Sequence, residues 1–349
     1  MVSGGGRNYS LFTTPYSLLP THPYLGIAMS KPVSLKIAVA DNPHTLAVKN
    51  GTFPIEGVAP DFITIVPQIA AFRRMVRGLE FDVCELAPTT YLIARALGAP
   101  YVALPIFLMR SFHHSGFLVR PEAKIRHPKD LEGKKVGVRA YSVTTGVWTR
   151  QIFMDEYGLD SSKVTWVVDD EEHVEALKLP PNVIHTAPDK SLAGMMATGE
   201  LDAGLAGNAG IGRSGGPQSG TWKQEKQDYP ELFENARELE TEWYKRTRIY
   251  PMHGTIVVKE DVLKAHPHVA RSLFDAFSGA KNEWLSRLPS LETPTDKKYQ
   301  GLSKIVGDPM PYGMEANMPA IEALIDTAFK TGLTNRRVPV REAFVDPKH

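Results

Sequence analysis

The stretch Asp130-Leu-Glu-Gly-Lys-Lys-Val-Gly-Val138 has the order of a short helix, a basic turn and a buried strand. It leads into a polar turn, and a helix is predicted from about Thr145 to Tyr157, where Gly158 supplies a C-terminal stop. Further along, Gly199-Glu-Leu-Asp-Ala-Gly-Leu205 ends in a second predicted strand. Together these phrases predict a unit in which short strands alternate with helices.

The same alternation occurs on both sides of this unit. Ser34–Ala40 and Phe81–Leu86 are β-rich runs, and Pro67–Gly78 between them has apolar residues at helical spacing. Gly254–Val258 is again strand-like, and Pro267–Trp284 begins a series of long helices. Such alternation predicts an α/β fold with largely parallel sheets, and a chain of 349 residues usually divides into two cores.

The composition excludes several classes of protein. The chain carries 40 Lys and Arg against 39 Asp and Glu, which gives a net charge of +1 at pH 7. A near-neutral chain lacks the positive field that grips a phosphate backbone, so we predict no nucleic-acid partner. No apolar run approaches the length of a membrane span, so we predict no membrane partner. Cys84 is the only cysteine, which excludes internal disulfides and Cys-rich metal sites.

Residues 1–30 differ from the rest and are predicted to form a flexible extension. They contain Gly4-Gly5-Gly6 and several prolines, and they lack the continuous apolar run of a secretory signal. We therefore expect a cytoplasmic protein.

The two phrases quoted above resemble those of the two-lobed, type-II periplasmic-binding-protein fold, in which the first phrase starts the second lobe. Several longer stretches are similar to the 4,5-dihydroxyphthalate decarboxylase family, and the likeness runs from about Leu35 to Trp284. In chain order, these stretches are Phe81–Leu86, Tyr91–Arg95, Arg110–Ser115, Tyr141–Trp148, Asp155–Gly158, Thr165–Trp166, Lys178–Pro181 and His266–Pro267.

The resemblance implies a ligand cleft between two lobes. The first lobe would comprise residues 31–118 and, after the chain returns, residues 253–349 with the C-terminal helices. The second lobe would comprise residues 119–252.

The resemblance also implies a cytoplasmic enzyme of phthalate degradation, a carboxy-lyase that converts 4,5-dihydroxyphthalate into 3,4-dihydroxybenzoate and CO2. The expected partner is a small aromatic carboxylate, and assembly into a homo-oligomer is left open. No organic cofactor is implied and no metal site is predicted, although the resemblance does not settle whether a divalent metal is required.

Removing a carboxylate from an electron-rich ring is easiest by protonating the carbon that carries it. A hydroxyl para to that carbon stabilises the cationic intermediate, most strongly when its proton is withdrawn. The site therefore needs a proton donor, a base at the phenol and a cation for the second carboxylate.

Arg110, His113 and His114 are predicted to face the cleft because they lie between two strand-like runs. Arg110 could grip a carboxylate with two parallel hydrogen bonds, and His114 could transfer a proton near neutral pH. The family commonly has Arg-His where this chain has His113-His114. His114 therefore matches the family, whereas His113, a predicted substrate contact, differs from it. The alternative is a polar surface loop.

Glu85 ends an apolar strand just before a predicted helix start, at the sheet edge where ligands gather. As a catalytic acid or base it would need a pKa raised by burial. The alternative is a carboxylate that caps the following helix. His253, just before the strand at Gly254, is predicted as a third catalytic side chain.

The turn at Arg139–Thr145 is a second strand-to-helix connection. Ser142, Thr144 and Thr145 are expected to present hydroxyls and helix N-terminal N–H groups to an anion. Arg139 would hold a carboxylate and Tyr141 would flank the ring. The family often has Pro-Glu where this chain has Arg139-Ala140, a difference that bears on the exact substrate.

Asp41 and His44 follow the first strand and are expected to reach the same cleft, although an ordinary turn role explains them equally well. Together with Glu85, His114 and His253 they include the ligand types of a metal site, but no metal-ligand spacing supports one.

Two alternatives to the decarboxylase differ in function. One is a non-catalytic solute-binding protein of an ABC-type transporter, or a sensor, for an aromatic or organic acid; the missing signal argues against its exported form. The other is an enzyme of thiamine-precursor synthesis on the same scaffold, which no Cys-rich or His-rich motif supports.

Overall fold

The computed structural model describes Met1 and residues 31–214, 223–224 and 228–347. The predicted extension over residues 1–30 lies, apart from Met1, outside these residues. Within the described ranges the chain from Pro32 onward forms one compact unit.

The strands belong to two separate five-stranded sheets and one small hairpin. In chain order they are β1 Val33–Ala38, β2 Val58–Phe62, β3 Val83–Leu86, β4 Tyr101–Arg110, β5 Phe117–Val119, β6 Lys135–Gly137, β7 Thr165–Val168, β8 Val183–His185, β9 Ala203–Leu205, β10 Arg213–Ser214, β11 Lys223–Gln224 and β12 Met252–Lys259.

The helices connect and flank these strands. In chain order they are α1 Leu46–Lys49, α2 Ile69–Gly78, α3 Pro88–Ala96, α4 Thr144–Tyr157, α5 Leu192–Thr198, α6 Ala236–Thr247, α7 Glu260–Ala265, α8 His268–Arg287, α9 Pro294–Val306, α10 Met318–Lys330 and α11 Val340–Ala343.

The first sheet has the strand order β2-β1-β3-β12-β4, and the second has the order β5-β9-β6-β7-β8. In the first sheet β1 is parallel to β2 and β3, whereas β12 returns late in the chain and runs antiparallel to β3 and β4. In the second sheet β6 to β9 are parallel and only the edge strand β5 is antiparallel. The predicted α/β fold is therefore confirmed.

The two sequence motifs that predict this fold, residues 130–138 and 199–205, pair with each other in the second sheet. Val136 on β6 lies opposite Ala203 on β9, and the carboxylate of Asp202 accepts a 2.9 Å hydrogen bond from the backbone N–H of Lys135. Asp130 caps the short 3-10 helix Pro128–Leu131 that precedes β6. The turn residues of each motif, Asp130 before β6 and Asp202 before β9, thus fix where an inner strand of the second sheet begins.

The strand ends that matter for ligands are those of β1 and β3 in the first sheet and of β6 and β7 in the second. Loops after parallel strands gather at one sheet edge, which is where open α/β sheets bind ligands. The chain passes from the first sheet to the second after β4 and returns with β12. No helix in the described part of the chain is long and apolar enough to cross a membrane.

Candidate active site

A cavity of about 150 Å³ lies between the two sheets. A cavity of that volume can hold one benzene ring. The first sheet and its helices contribute the lining residues Ile69, Phe72, Glu85, Ala87, Thr90, Met109, His253 and Gly254. The second sheet and its loops contribute Arg139, Ala140, Ser142, Val143, Thr144, Thr145 and His173.

Glu85 is the buried carboxyl group of this cavity, with 3% of its surface exposed. Its Oε2 accepts a 3.0 Å hydrogen bond from the backbone N–H of Ala40, just beyond β1. Burial raises the pKa of Glu85 to about 7, against the opposing effects of the Ala40 N–H and Lys49. Its hydrogen bond goes to the first strand-to-helix turn, and no side chain caps α3. A carboxyl that titrates near neutrality can both donate and accept a proton.

His253 lines the cavity at the start of β12, and its partner His113 lies behind it. The Nε2 atoms of the two rings are 2.8 Å apart, within hydrogen-bond distance. Burial lowers the pKa of His253 to about 3, and the positive charges of Lys298 and Arg110 act in the same direction. Burial also holds the pKa of His113 well below its ordinary value. Both imidazoles are therefore neutral near pH 7, and one must donate to the other.

Arg139 is the cation of the cavity, at the end of β6. Its Nη1 donates to Oδ2 of Asp170 at 3.0 Å, and the other oxygen of Asp170 accepts a 3.0 Å hydrogen bond from Arg73 on α2. Burial lowers the pKa of Arg139, while Asp170 favours its charged form. The Nε of Arg139 is buried and has no hydrogen-bond partner among the described residues. The guanidinium stays charged and can still bind an anion.

The N-terminus of α4 opens onto the same cavity through Thr144 and Thr145. The first N–H groups of a helix have no intrahelical acceptor, and they attract negative charge. The hydroxyls of Thr144 and Thr89 are 2.7 Å apart, and Thr89 also donates to the carbonyl of Ser142 at 2.8 Å. Because Thr89 belongs to α3, these bonds tie the first sheet's side of the cavity to the anion-binding turn.

His173 and Thr90 line the cavity and are absent from the sequence predictions. Thr90 Oγ1 lies 3.1 Å from Nδ1 of His173. Burial lowers the pKa of His173 to about 3, as do the nearby Arg139 and Arg73. The signal that could have found His173 is its place in the polar run Asp169–His173, which directly follows β7 at a strand's carboxyl end.

Arg110 does not line the cavity, contrary to the prediction that it holds a substrate carboxylate. Its guanidinium donates 2.8 Å hydrogen bonds to the carbonyls of Tyr250 and Pro311, and it also bonds the side chain of Asn317. Since Arg110 ends a strand, alternation sends its side chain to one face and that of Met109 to the cavity face. Arg110 joins the end of β4 to the C-terminal region.

His114 is likewise placed outside the cavity, in an aromatic cluster with Tyr157, Phe233 and Trp243 at ring-centroid distances of 6.5, 5.9 and 5.7 Å. Neither ring nitrogen has a hydrogen-bond partner among the described residues. Burial lowers the pKa of His114 to about 4. His114, predicted to transfer a proton in the cleft, therefore does not line the cavity.

Three further predicted contacts also lie away from the cavity lining. Tyr141 is buried and its hydroxyl donates to the carbonyl of Thr331. Asp41 is exposed and forms an ion pair with Lys49. His44 is buried against the ring of Trp284. The turns that carry them were predicted in the right place, but the side chains serve local structure.

Across the described residues, no group of three or more His, Cys, Asp or Glu side chains is arranged to hold a metal ion. What the cavity does hold is one carboxyl group that titrates near pH 7, two neutral imidazoles, one guanidinium and a helix N-terminus. This set can bind an anion on the side of the second sheet and exchange protons with it from the first.

The chain is similar to known proteins in sequence. The family described as ABC transporter, phosphonate, periplasmic substrate-binding protein matches residues 62–281. A protein named 4,5-dihydroxyphthalate decarboxylase from Comamonas testosteroni is 30% identical over 332 residues, covering 90% of this chain and 97% of that protein. Another of the same name, from Pseudomonas putida, is 34% identical over 227 residues, covering 63% of this chain and 84% of that protein.

Solved structures of low sequence identity share the fold. The putative periplasmic sulfonate-binding protein SsuA from Methylobacillus flagellatus superposes with a TM-score of 0.53 at 13% identity, covering 91% of this chain and 93% of that one. The periplasmic aliphatic sulphonate-binding protein SsuA from Escherichia coli gives a TM-score of 0.50 at 13% identity, with coverage of 90% and 93%. The predicted two-lobed binding-protein fold is thus confirmed.

Proposed function

The chain belongs to the 4,5-dihydroxyphthalate decarboxylase family, and from that membership we propose that it converts 4,5-dihydroxyphthalate into 3,4-dihydroxybenzoate and CO2. The structural observation that carries the proposal is the cavity between the sheets. There Glu85, with a pKa of about 7, shares a space the size of one aromatic ring with the cation Arg139 and the neutral imidazole of His253.

Binding would begin with the carboxylate that stays on the ring. Arg139 lines the cavity with its guanidinium cation, and the N-terminus of α4 offers the N–H groups of Thr144 and Thr145. Charge-assisted hydrogen bonds of this kind are the strong ones. The carboxylate to be lost then lies toward the first sheet and Glu85.

The ring itself would lie among apolar side chains. Ile69, Phe72 and Met109 line the cavity from the first sheet's side, and Val143 lines it from the other. An apolar surrounding favours the departure of neutral CO2 over retention of a carboxylate, because it hydrates the anion poorly.

In the chemical step, protonated Glu85 gives its proton to the ring carbon that carries the leaving carboxylate. His253 accepts the proton of the para hydroxyl, which places electron density on that carbon. The bond between ring and carboxylate then breaks, its electron pair restores the aromatic ring, and CO2 leaves. His253 returns its proton to the phenolate and Glu85 takes a new one from water, so each turnover consumes one proton.

The pKa values of Glu85 and His253 suit this exchange once the substrate is bound. Glu85 is about half protonated near pH 7, and the negative charges of a dicarboxylate raise the pKa of both Glu85 and His253. A bound dianion therefore keeps the acid protonated and makes the imidazole a better base.

We propose that the chain needs no organic cofactor and no metal for this reaction, since its own residues supply acid, base and cation. Full activity after dialysis against a chelator supports this part, and activity restored only by a divalent metal contradicts it. The proposal also includes a cytoplasmic location, as the resemblance implies, which cell fractionation tests.

The decisive experiment incubates the purified full chain with 4,5-dihydroxyphthalate in D2O and analyses the products. We expect CO2 and 3,4-dihydroxybenzoate carrying one deuterium at the vacated ring carbon. Phthalate is the matched control: it has both carboxylates but no para hydroxyl, so it should bind and not react. Tight binding of 4,5-dihydroxyphthalate without CO2 release would support the solute-binding alternative instead.

A further inference from the structure

Resting on the proposed function, we propose that His173 is a substrate-binding residue that recognises a ring hydroxyl, and that Thr90 orients its imidazole for this contact. His173 lies in the loop after β7, and both residues line the cavity. The second sheet therefore contributes the imidazole of His173 to the cavity, in addition to the guanidinium of Arg139.

The ring of His173 is held in place by two contacts from the first sheet's side. Oγ1 of Thr90 lies 3.1 Å from Nδ1, and the ring of Phe72 meets the imidazole edge to face with centroids 5.9 Å apart. Nδ1 is thus occupied, and Nε2 has no hydrogen-bond partner among the described residues. That nitrogen is the one left for a ligand.

The backbone of the same loop is bound by two arginines of α2. Arg77 donates to the carbonyl of His173 at 3.2 Å and to that of Glu172 at 2.9 Å. Arg73 donates to Asp170, which also accepts from Arg139. The loop is therefore anchored on both sides of the imidazole, and one carboxylate connects it to the cation that binds the substrate carboxylate.

The charge state of His173 suits a hydroxyl rather than a carboxylate. The ring is neutral near pH 7, because burial and the flanking arginines disfavour its protonated form. A neutral imidazole gives one directional hydrogen bond to a phenol and adds no charge for a second carboxylate. Arg139 binds the carboxylate, so the two residues recognise different groups of the same substrate: His173 the ring hydroxyl and Arg139 the carboxylate.

If His173 binds the hydroxyl and Arg139 the carboxylate, binding measurements with two ligands can separate their contributions. Removing His173 should weaken the binding of a hydroxylated phthalate and leave the binding of plain phthalate nearly unchanged. A residue that merely supports the loop would affect both ligands alike.

The test measures Kd for 4,5-dihydroxyphthalate and for phthalate by calorimetry in the full chain carrying Glu85→Gln, which slows turnover. Into this background we introduce His173→Phe, His173→Asn and Thr90→Val, with His185→Phe as the control on an exposed histidine of β8. For His173→Phe we expect the Kd for phthalate divided by the Kd for 4,5-dihydroxyphthalate to fall about tenfold, the worth of one neutral hydrogen bond. Thr90→Val should give a smaller fall and His185→Phe none.

Equal weakening of both ligands, or an unchanged ratio in His173→Phe and His173→Asn, overturns the proposal. Circular dichroism identifies a variant that does not fold, in which case His173→Asn decides. If the wild-type chain binds the hydroxylated ligand but releases no CO2, the proposed function is wrong. The ratio of the two Kd values still tests the role of His173 in that case. Binding of neither ligand contradicts both.

Discussion

Gly254 lies directly against the carboxylate of Glu85. A methyl group on its α-carbon would lie 2.5 Å from Oε1 of Glu85, closer than side chains approach one another. The φ angle of Gly254 is +64°, a left-handed conformation that glycine adopts without strain. This contact sets the position of the carboxyl group on the cavity wall, because β12 lies beside β3 at this point.

We predict that Gly254→Ala displaces Glu85 and impairs both stability and turnover. The left-handed conformation alone costs a residue with a β-carbon about 1 kcal/mol, and the contact with Glu85 adds to it. Gly51→Ala is the matched control, because Gly51 has φ +81° and open space around it. Urea unfolding should show a larger loss for Gly254→Ala than for Gly51→Ala, with kcat reduced only in the former. Equal losses, with kcat retained in both, would show that the contact is unimportant.

Glu85→Gln should lower kcat by roughly 10²- to 10⁴-fold, the usual contribution of a positioned acid or base. Glutamine keeps the size and the acceptor for the Ala40 N–H but cannot give a proton. The Kd for phthalate should stay within about twofold, since Arg139 and α4 carry the anion binding in our proposal. Steady-state kinetics and calorimetry measure the two quantities, and a variant with normal kcat would remove Glu85 from the mechanism.

The raised pKa of Glu85 also predicts a pH dependence of stability. Below its ordinary value of 4.5 the carboxyl is protonated in both folded and unfolded chains. Between pH 4.5 and about 7 the unfolded chain ionises first, so stability falls as pH rises, and it levels off above about 7. The stability difference between wild type and Glu85→Gln should change over this range by on the order of 3 kcal/mol.

The same protonation governs activity in the free enzyme. Since the protonated carboxyl is the donor, kcat/KM should decline as pH rises through about 7. Denaturant unfolding and initial rates at pH 5, 6, 7 and 8 measure both effects. A stability difference that does not vary with pH would mean that Glu85 titrates normally.

His253→Phe and His114→Phe should behave in opposite ways, although both replace a histidine with the same apolar ring. His253 lines the cavity, so its loss should lower kcat by roughly 10²-fold or more. His114 lies among aromatic rings with both ring nitrogens unpartnered, so phenylalanine should preserve kcat and add about 1 kcal/mol of stability. Rates and melting temperatures of the two variants give the comparison, and loss of turnover in His114→Phe would restore His114 as a catalytic candidate.

Arg139→Met should raise the Kd for phthalate about 10- to 100-fold, the range for a hydrogen bond to a charged group. Methionine keeps an apolar stem of similar length and removes the cation. The control is Arg337→Met, which removes an exposed arginine paired with Asp326 far along the chain. Unchanged affinity in Arg139→Met would leave the helix N-terminus as the anion site.

The sequence predicted the strand-to-helix turns well and the direction of their side chains poorly. Glu85 and, apart from Tyr141, the turn from Arg139 to Thr145 line the cavity as expected, because strand ends are marked by local apolar runs and turn residues. Arg110 and His114 were assigned to the cleft from the same kind of position. Arg110 points elsewhere because one residue's difference along a strand reverses the face it presents. His114 lies in the loop after β4 and packs among aromatic rings.

Two features were missed from the sequence, the strand β2 and the cavity residue His173. The strand β2 contains Pro60 and exposed residues, and its register follows from pairing with β1. His173 sits in a run of acidic residues that resembles a solvated loop until Arg73 and Arg77 bind it.

By itself the sequence determined that this is an α/β chain of two sheets, where its strands end, and which family it resembles. These properties rest on short-range periodicity and turn chemistry, which neighbouring residues specify. Only the tertiary structure decided that Glu85, His253, Arg139 and His173 share one cavity and that Arg110 and His114 do not. The reason is physical: the cavity forms between two sheets whose residues are far apart in the chain, and burial there sets both the contacts and the pKa values.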